Sequence, residues 1–382
     1  MYDGLVTFVR EWYSSNAVIP LSSPQFGRRE REYVAEAIDS TFVSTIGEFV
    51  DRFERILREY TGAQAAVATV NGTAALHVAL RLAGVNPGDE VVTQPLSFVA
   101  IANAISYQQA QPVFVDVERS TMGLSPDALA RFLETGCERR GEDTVNRRTE
   151  RRVAAVVPMH TFGRPCRIQS ICEVAERWGI PVVEDAAEAL GSTCEERHCG
   201  TFGRLGIYSF NGNKTVTTGG GGMIVSDPTL ATQAKHLTTT AKAPHPWDYV
   251  HDALGYNFRL PNLNAALGCA QMERLDSFIA DKRALGDAYS AFFQTCDWAR
   301  FADEPTNSHS NAWLHAIVLT DPSLRNGFLE RTHAAGILTR PIWKLLTDLP
   351  MYRHCQRDDL VEARWLSERV ITLPSSARAF DD

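Results

Sequence analysis

The chain has 382 residues, 44% of them hydrophobic, and a formal net charge of −8. That is enough apolar material for one large domain or two ordinary ones with sizeable cores. The acidic balance, with a pI near 5.7, argues against a general affinity for nucleic acid or anionic membranes, while a local basic pocket and a phosphate-bearing small ligand stay open. The eight cysteines form no CxxC pair and no paired ligand spacing, which disfavours zinc ribbons and iron–sulfur sites and suits buried thiols in a reducing compartment. No metal is expected. The opening stretch MYDGLVTFVREWYSS has charges on both sides of a short apolar segment. No run approaches the roughly eighteen apolar residues of a membrane span, so a cytoplasmic protein is expected.

In chain order, seven short runs read as strands: QAAVATV (64–70), EVVTQP (90–95), PVFVDV (112–117), RVAAVVPMH (152–160), PVVED (181–185), LGIYSF (205–210) and GGMIVSD (221–227). Most lack polar alternation, as expected of a sheet covered on both faces. TAALHVALRLAG (73–84) and IQSICEVAERWG (168–179) read as intervening helices ending at glycine. The alternation gives a layered α/β domain. Only ten residues, 211–220, separate the last two runs, too few for a crossover helix, so those strands are expected to be antiparallel neighbours in a mixed sheet. The charged stretch 134–152 reads as an exposed loop insertion. Beyond about residue 265 the pattern turns helical and then mixed, with AWLHAIVLT as a strand. The expected division is a large domain over 1–265, N-terminal segment included, and a smaller α+β domain over 266–382.

Three sites carry chemistry. SFNGNKTVTTGGGG (209–222) places Lys214 before four glycines. It fails the Walker A spacing twice, because five residues separate Gly206 from Gly212 and Asn213 intervenes before the lysine. VNGTAALHVAL (70–80) ends a strand, turns at Gly72 and starts a helix at Thr73, which makes an anion cradle or an ordinary turn and cap. IPVVEDAAEALGS (180–192) puts Glu184 and Asp185 at a strand's C-terminal end, where open α/β sheets present ligand groups. Asp185 there can hold a ring N–H or a metal, or cap a following AAEAL helix. A lysine for a Schiff base, an acid for a pyridinium nitrogen and a phosphate cradle are together the requirements of pyridoxal phosphate, PLP.

The segments NGTAALHVAL, SFVAIANAI, EDAAEALGS, SFNGNKTVTTGGGGMI and GYNFRLPNLNAALGCAQMERLD together resemble the DegT/DnrJ/EryC1/StrS family of PLP-dependent sugar aminotransferases. STFVSTIGEFVDRFE, RSTMGLSP and TRPIWKLLTDLPMY are most similar to its LegC-type branch. The resemblance implies PLP transferase fold type I, like aspartate aminotransferase, with a mixed, mostly parallel seven-stranded sheet in the large domain. It implies that Lys214 forms the internal aldimine and Asp185 binds the pyridinium nitrogen. Gly72, Thr73 and Ser209 would hold the phosphate, Phe98 would stack on the ring, and Glu188 would lie near the phenolic oxygen. Asn257 would reach the phosphate of a neighbouring subunit, which implies a homodimer with shared sites. Arg259, Trp343 and Lys344 match positions near the nucleotide sugar, whereas His77 and His160 read as structural.

The implied reaction passes an amino group from L-glutamate to the 4-keto carbon of a nucleotide-linked, UDP-type, 4-keto-6-deoxy amino sugar, with Lys214 moving the proton in both halves. A GDP-linked 4-keto-6-deoxy sugar, as in perosamine formation, or a 3-keto sugar is the alternative substrate. A PLP-binding regulator without turnover is the alternative of another class. Relatives of the LegC type often carry a histidine where this chain reads PLSSPQF (20–26), a departure that bears on the substrate.

Overall fold

The computed structural model describes residues 2–305 and 307–378, so the last four residues of the 266–382 unit lie outside the described residues. Each of the seven runs contributes a strand: β1 (Ala65–Thr69), β2 (Glu90–Thr93), β3 (Gln111–Phe114), β4 (Val153–Val157), β5 (Val183–Asp185), β6 (Leu205–Ser209) and β7 (Gly222–Ser226). Across the layer the order is β3-β2-β4-β5-β6-β7-β1. Two parallel bridges, Val156 to Val182 and Met159 to Asp185, join β4 to β5. β7 runs antiparallel to both β6 and β1, and the other pairings are parallel. This is the mixed, mostly parallel sheet expected, with the antiparallel pair flanking the Lys214 loop.

The strands lack polar alternation because both faces are covered. On β6, Leu205 and Ile207 enter a cluster with Leu76, Val78 and Leu80 of the helix Gly72–Leu82. Tyr208, next along the strand, faces the opposite cluster, with Phe53 and Leu57 of the helix Glu48–Thr61. Period-two geometry makes one strand serve two cores. The helix Gly72–Leu82 buries every residue from Ala74 to Leu80, since it lies between the sheet and the helices Ala100–Tyr107 and Pro228–Thr238. Full burial of a leucine such as Leu80 contributes about 2 kcal/mol.

The charged stretch 134–152 is not a loop insertion. Cys137–Arg140 and Asp143–Asn146 form an antiparallel hairpin, and Cys137, Thr144, Val145 and Asn146 are buried. Its charges pair on the outside, Arg140 with Glu138 and Glu150. Inside, Asn146 Nδ2 donates to Glu90 Oε2 at 2.7 Å.

A second, antiparallel sheet comprises β8 (Ala299–Phe301), β9 (His315–Leu319), β10 (Arg340–Pro341) and β11 (Val370–Leu373) in the order β8-β9-β11-β10. Its core takes Leu5 and Val9 from the helix Asp3–Tyr13 and Tyr289 and Phe293 from the helix Leu275–Phe293. The helix Asn262–Met272 instead packs Ala265, Cys269 and Met272 into the first sheet's core. Among the described residues, no helix is long and apolar enough to cross a membrane.

Candidate functional site

A cavity of about 480 Å³ opens at the C-terminal ends of β5 and β6 and is closed from the other side by the second sheet. Gly72, Thr73, Ser209 and Phe98 line it, together with Asp185, Glu188, Lys214 and Trp343. Asn257, Arg259 and Lys344 do not line their own chain's cavity. Arg259 lies on the surface with its guanidinium on Asn257 Oδ1, at 3.0 Å, and Lys344 is exposed.

One end is built for an anion. The helix begins at Gly72, one residue before the position expected, and its N-cap is Asn71, whose side chain accepts from the Ala74 N–H at 2.8 Å. Ala75 N–H bonds back to the Asn71 carbonyl. The Gly72 and Thr73 amides find no acceptor among the described residues, nor do the Thr73 and Ser209 hydroxyls find a partner. Two free N–H groups on the positive end of a helix, beside two hydroxyls, form a phosphate cradle. Glycine is required at 72 by proximity: a Cβ there would stand 2.9 Å from Ser209 Cβ. Gly222 meets the same limit, since its Cβ would stand 2.5 Å from the Asn71 carbonyl carbon.

Lys214 rises from a loop that is fastened rather than loose. Phe210 N–H bonds to the Gly221 carbonyl and Thr218 N–H to the Phe210 carbonyl, and Asn264 Nδ2 donates to the Thr218 carbonyl at 2.6 Å. The lysine side chain is only 14% exposed, with Nζ 3.3 Å from Glu188 Oε1. Nζ also stands 4.0 Å from the centroid of the Trp313 ring, a cation–π contact. Glu188 Oε2 accepts the Phe162 N–H at 2.9 Å. Burial pushes the Glu188 carboxyl up to about 7, against the pull of the Lys214 ammonium.

The two acids at the end of β5 divide their work by the alternation of the strand. Glu184 points away from the cavity and accepts the N–H groups of Gly200 and Gly203, at 2.8 and 2.6 Å, and of Phe202. It is also 3.1 Å from His160 Nε2. Because His160 Nδ1 accepts the Cys166 N–H, Nε2 carries the hydrogen and donates to Glu184. His160 thus braces the strand end that carries Asp185, whose carbonyl accepts the His160 N–H at 3.2 Å. Asp185 faces the cavity, one oxygen accepting the Ala187 N–H at 3.0 Å and the other without a donor among the described residues. Burial raises its carboxyl above the ordinary range, as for an acid awaiting a cationic partner. The AAEAL helix does not form; residues 186–191 hold turns and irregular backbone, so Asp185 caps no helix.

The DegT/DnrJ/EryC1/StrS aminotransferase family pattern matches residues 24–382. The chain belongs to this family. It is 38% identical over 371 residues, 95% of this chain and 92% of the relative, to a putative pyridoxal phosphate-dependent aminotransferase, EpsN, of Bacillus subtilis. To the GDP-perosamine synthase of Escherichia coli O157:H7 it is 36% identical, covering 94% and 93% of the two chains. The crystal structure of the aminotransferase TlmJ from Streptoalloteichus hindustanus superposes with a TM-score of 0.85 at 30% identity, covering 94% of each chain. The protein is therefore a PLP-dependent sugar aminotransferase with the fold type I architecture, and the regulator alternative falls away. The cavity fits the cofactor on its own evidence, because the cradle at Gly72 is one that a single Cβ would fill.

Two lining residues escape sequence reasoning. Trp313 arrives from the loop before β9 and Arg340 from β10, both far beyond the lysine in the chain. The one local signal was TRPIWKLL itself, in which the arginine precedes the tryptophan that was singled out.

Proposed function

We propose that this aminotransferase moves the amino group of L-glutamate to the 4-keto carbon of a nucleotide-linked 4-keto-6-deoxy sugar, and that the nucleotide is GDP. The observation that carries the reaction is Lys214 Nζ and the donor-free oxygen of Asp185 in one cavity, beside an anion cradle. The similarity to a GDP-perosamine synthase supports GDP over the UDP-linked substrate first expected. PLP, when bound, supplies an electron sink for the carbon losing or gaining the proton. Gly72, Thr73 and Ser209 would hold its phosphate, Asp185 its ring nitrogen, and Phe98 would cover the ring. Glu188, held partly protonated near neutrality by burial, can offer a hydrogen bond to the ring's phenolic oxygen. Lys214 would carry the proton at Nζ in both half-reactions, and its low exposure keeps water from competing for it. Trp343 in the wall, with Arg259 and Lys344 outside it, would meet the nucleotide sugar.

The exposed side chains of Trp247, Tyr249 and Leu254, at 80%, 82% and 77%, precede Asn257 on one surface segment. They support a homodimer in which Asn257 and Arg259 serve the neighbouring copy's cavity. Light scattering that found a monomer at micromolar concentration would remove this part of the proposal.

The test of the reaction is amination of purified GDP-, UDP- and dTDP-linked 4-keto-6-deoxy sugars with L-glutamate, product position being read by NMR. The GDP sugar should turn over fastest and carry nitrogen at C4. Preference for the UDP sugar would refute the nucleotide assignment, and full turnover by Lys214→Ala would refute the lysine's role.

A further inference from the structure

The helix Leu275–Phe293 carries a lysine that the reaction above does not use. Lys282 is one of five lysines in the chain and is 3% exposed. Among the described residues no carboxylate lies within ion-pair distance of its ammonium. The adjacent Asp281 is taken up by the backbone N–H and guanidinium of Arg378. Lys282 Nζ donates instead to two backbone carbonyls, those of Trp313, at 3.3 Å, and Ser375. Burying an ammonium without a counter-charge is costly. A methionine would fill the same space without that cost, so what the position supplies is its donors.

Those donors lead to the reactive amine. The Trp313 backbone is held at its carbonyl by Lys282 and at its N–H by Asn311 Oδ1, at 2.9 Å. Its indole Nε1 donates to the Asn213 carbonyl at 2.7 Å, one residue before Lys214. The ring so fixed lies against Lys214 Nζ. The second acceptor extends the same clamp, for Ser375 N–H bonds to the carbonyl of Leu21 at 2.7 Å, and Leu21 also lines the cavity. Burial pushes Lys282 down to about 7, and a neutral amine still has two N–H bonds for two carbonyls, so the clamp persists on either side of neutrality.

We propose that Lys282 is a positioning residue for Lys214, acting through Trp313: it fixes the Trp313 carbonyl and so holds the indole as a platform against the Lys214 amine. This rests on Lys214 being the reactive amine of the proposed function.

The test labels apoprotein with trace acetic anhydride and follows Lys214 by peptide mass spectrometry against Lys235, Lys242 and Lys344 in the same sample. In Lys282→Met, Lys214 should label about two- to thirtyfold faster, the range set by losing one cation–π contact, with the three reference lysines unchanged. Lys282→Gln, which keeps N–H donors, should stay nearer the native rate than the methionine variant. Adding Lys282→Met to Trp313→Leu should bring no further acceleration, since the two act in series. The proposal is overturned if folded Lys282→Met labels at the native rate or if the two effects multiply. Should Lys282→Met not fold, equal acceleration by Lys282→Gln and Trp313→Leu overturns it, and a near-native Lys282→Gln supports it. No cofactor or sugar enters the assay, so a failed substrate assignment leaves this result standing.

Discussion

Replacing Glu188 with glutamine removes a carboxyl whose proton is tied to folding. Burial raises it from 4.5 to about 7 in the folded chain, and each pH unit of such a displacement is worth about 1.4 kcal/mol. Below pH 4.5 the group is protonated in both states and contributes no difference. Between 4.5 and 7 the folded state keeps a proton that the unfolded state releases, so stability falls as pH rises. Above 7 the whole cost, about 3 kcal/mol, is present. Glutamine has no proton to lose, and its amide oxygen can still accept the Phe162 N–H now bonded at 2.9 Å. The Lys214 ion pair forms only as Glu188 ionises, and its pull is already contained in the value of about 7, so the slope is the diagnostic. Urea unfolding of both apoproteins at pH 5, 6, 7 and 8, converted with a shared m-value, should show the variant gaining about 2 kcal/mol or more on the native chain across the series. Parallel profiles, within about 0.5 kcal/mol, would refute the argument that burial governs this carboxyl.

Gly72→Ala introduces a Cβ 2.9 Å from Ser209 Cβ, an overpacking worth about 1–3 kcal/mol, and the cost falls on the cradle. PLP affinity, by spectral titration, should drop about tenfold or more beside a stability loss within that range; unchanged affinity would place the phosphate elsewhere. Glu184→Gln should act on the fold and leave the cradle alone. It deprives three N–H groups, that of Gly200 buried, and His160 of a carboxylate and should destabilise the fold by about 2–4 kcal/mol, measured by denaturant unfolding. Retained stability would mean that the loop 200–203 is held by its packing alone.

The strands were legible because burial on both faces removes the polar residues that break an apolar run. Lys214, Asp185 and the Gly72–Thr73 turn were legible because strand ends are where such sheets present chemistry. Composition misled where backbone pairing decided the outcome. The stretch 134–152 is charged enough to read as solvated, yet as a hairpin it turns Cys137, Val145 and Asn146 inward. AAEAL has helical propensity, but Asn311 Nδ2 binds the carbonyls of Glu188 and Leu190, and Asp185 takes the Ala187 N–H. Trp313 could not be found locally, because its place depends on how one sheet docks on another.

Arg340 follows from that docking and bears on the substrate. Its backbone is fixed by the β10–β11 pairing, with Thr372 Oγ1 donating to its carbonyl at 3.1 Å. The residue is exposed at the cavity's edge and counts among those lining it, and its guanidinium has no carboxylate partner among the described residues. Both proposed substrates are anions, glutamate through its carboxylates and the sugar through its diphosphate, and the cradle at Gly72 is the one proposed for the cofactor. A guanidinium hydrogen bond to an anion is worth about 1.5–3 kcal/mol, so Arg340→Ala should lower kcat/KM about 10- to 100-fold for one substrate. The two half-reactions, followed separately, identify which: slowing with glutamate alone assigns a carboxylate, and slowing with the keto sugar alone assigns the diphosphate. Equal rates in both, with Arg340 removed, would show that the second sheet closes the cavity without contributing charge to it.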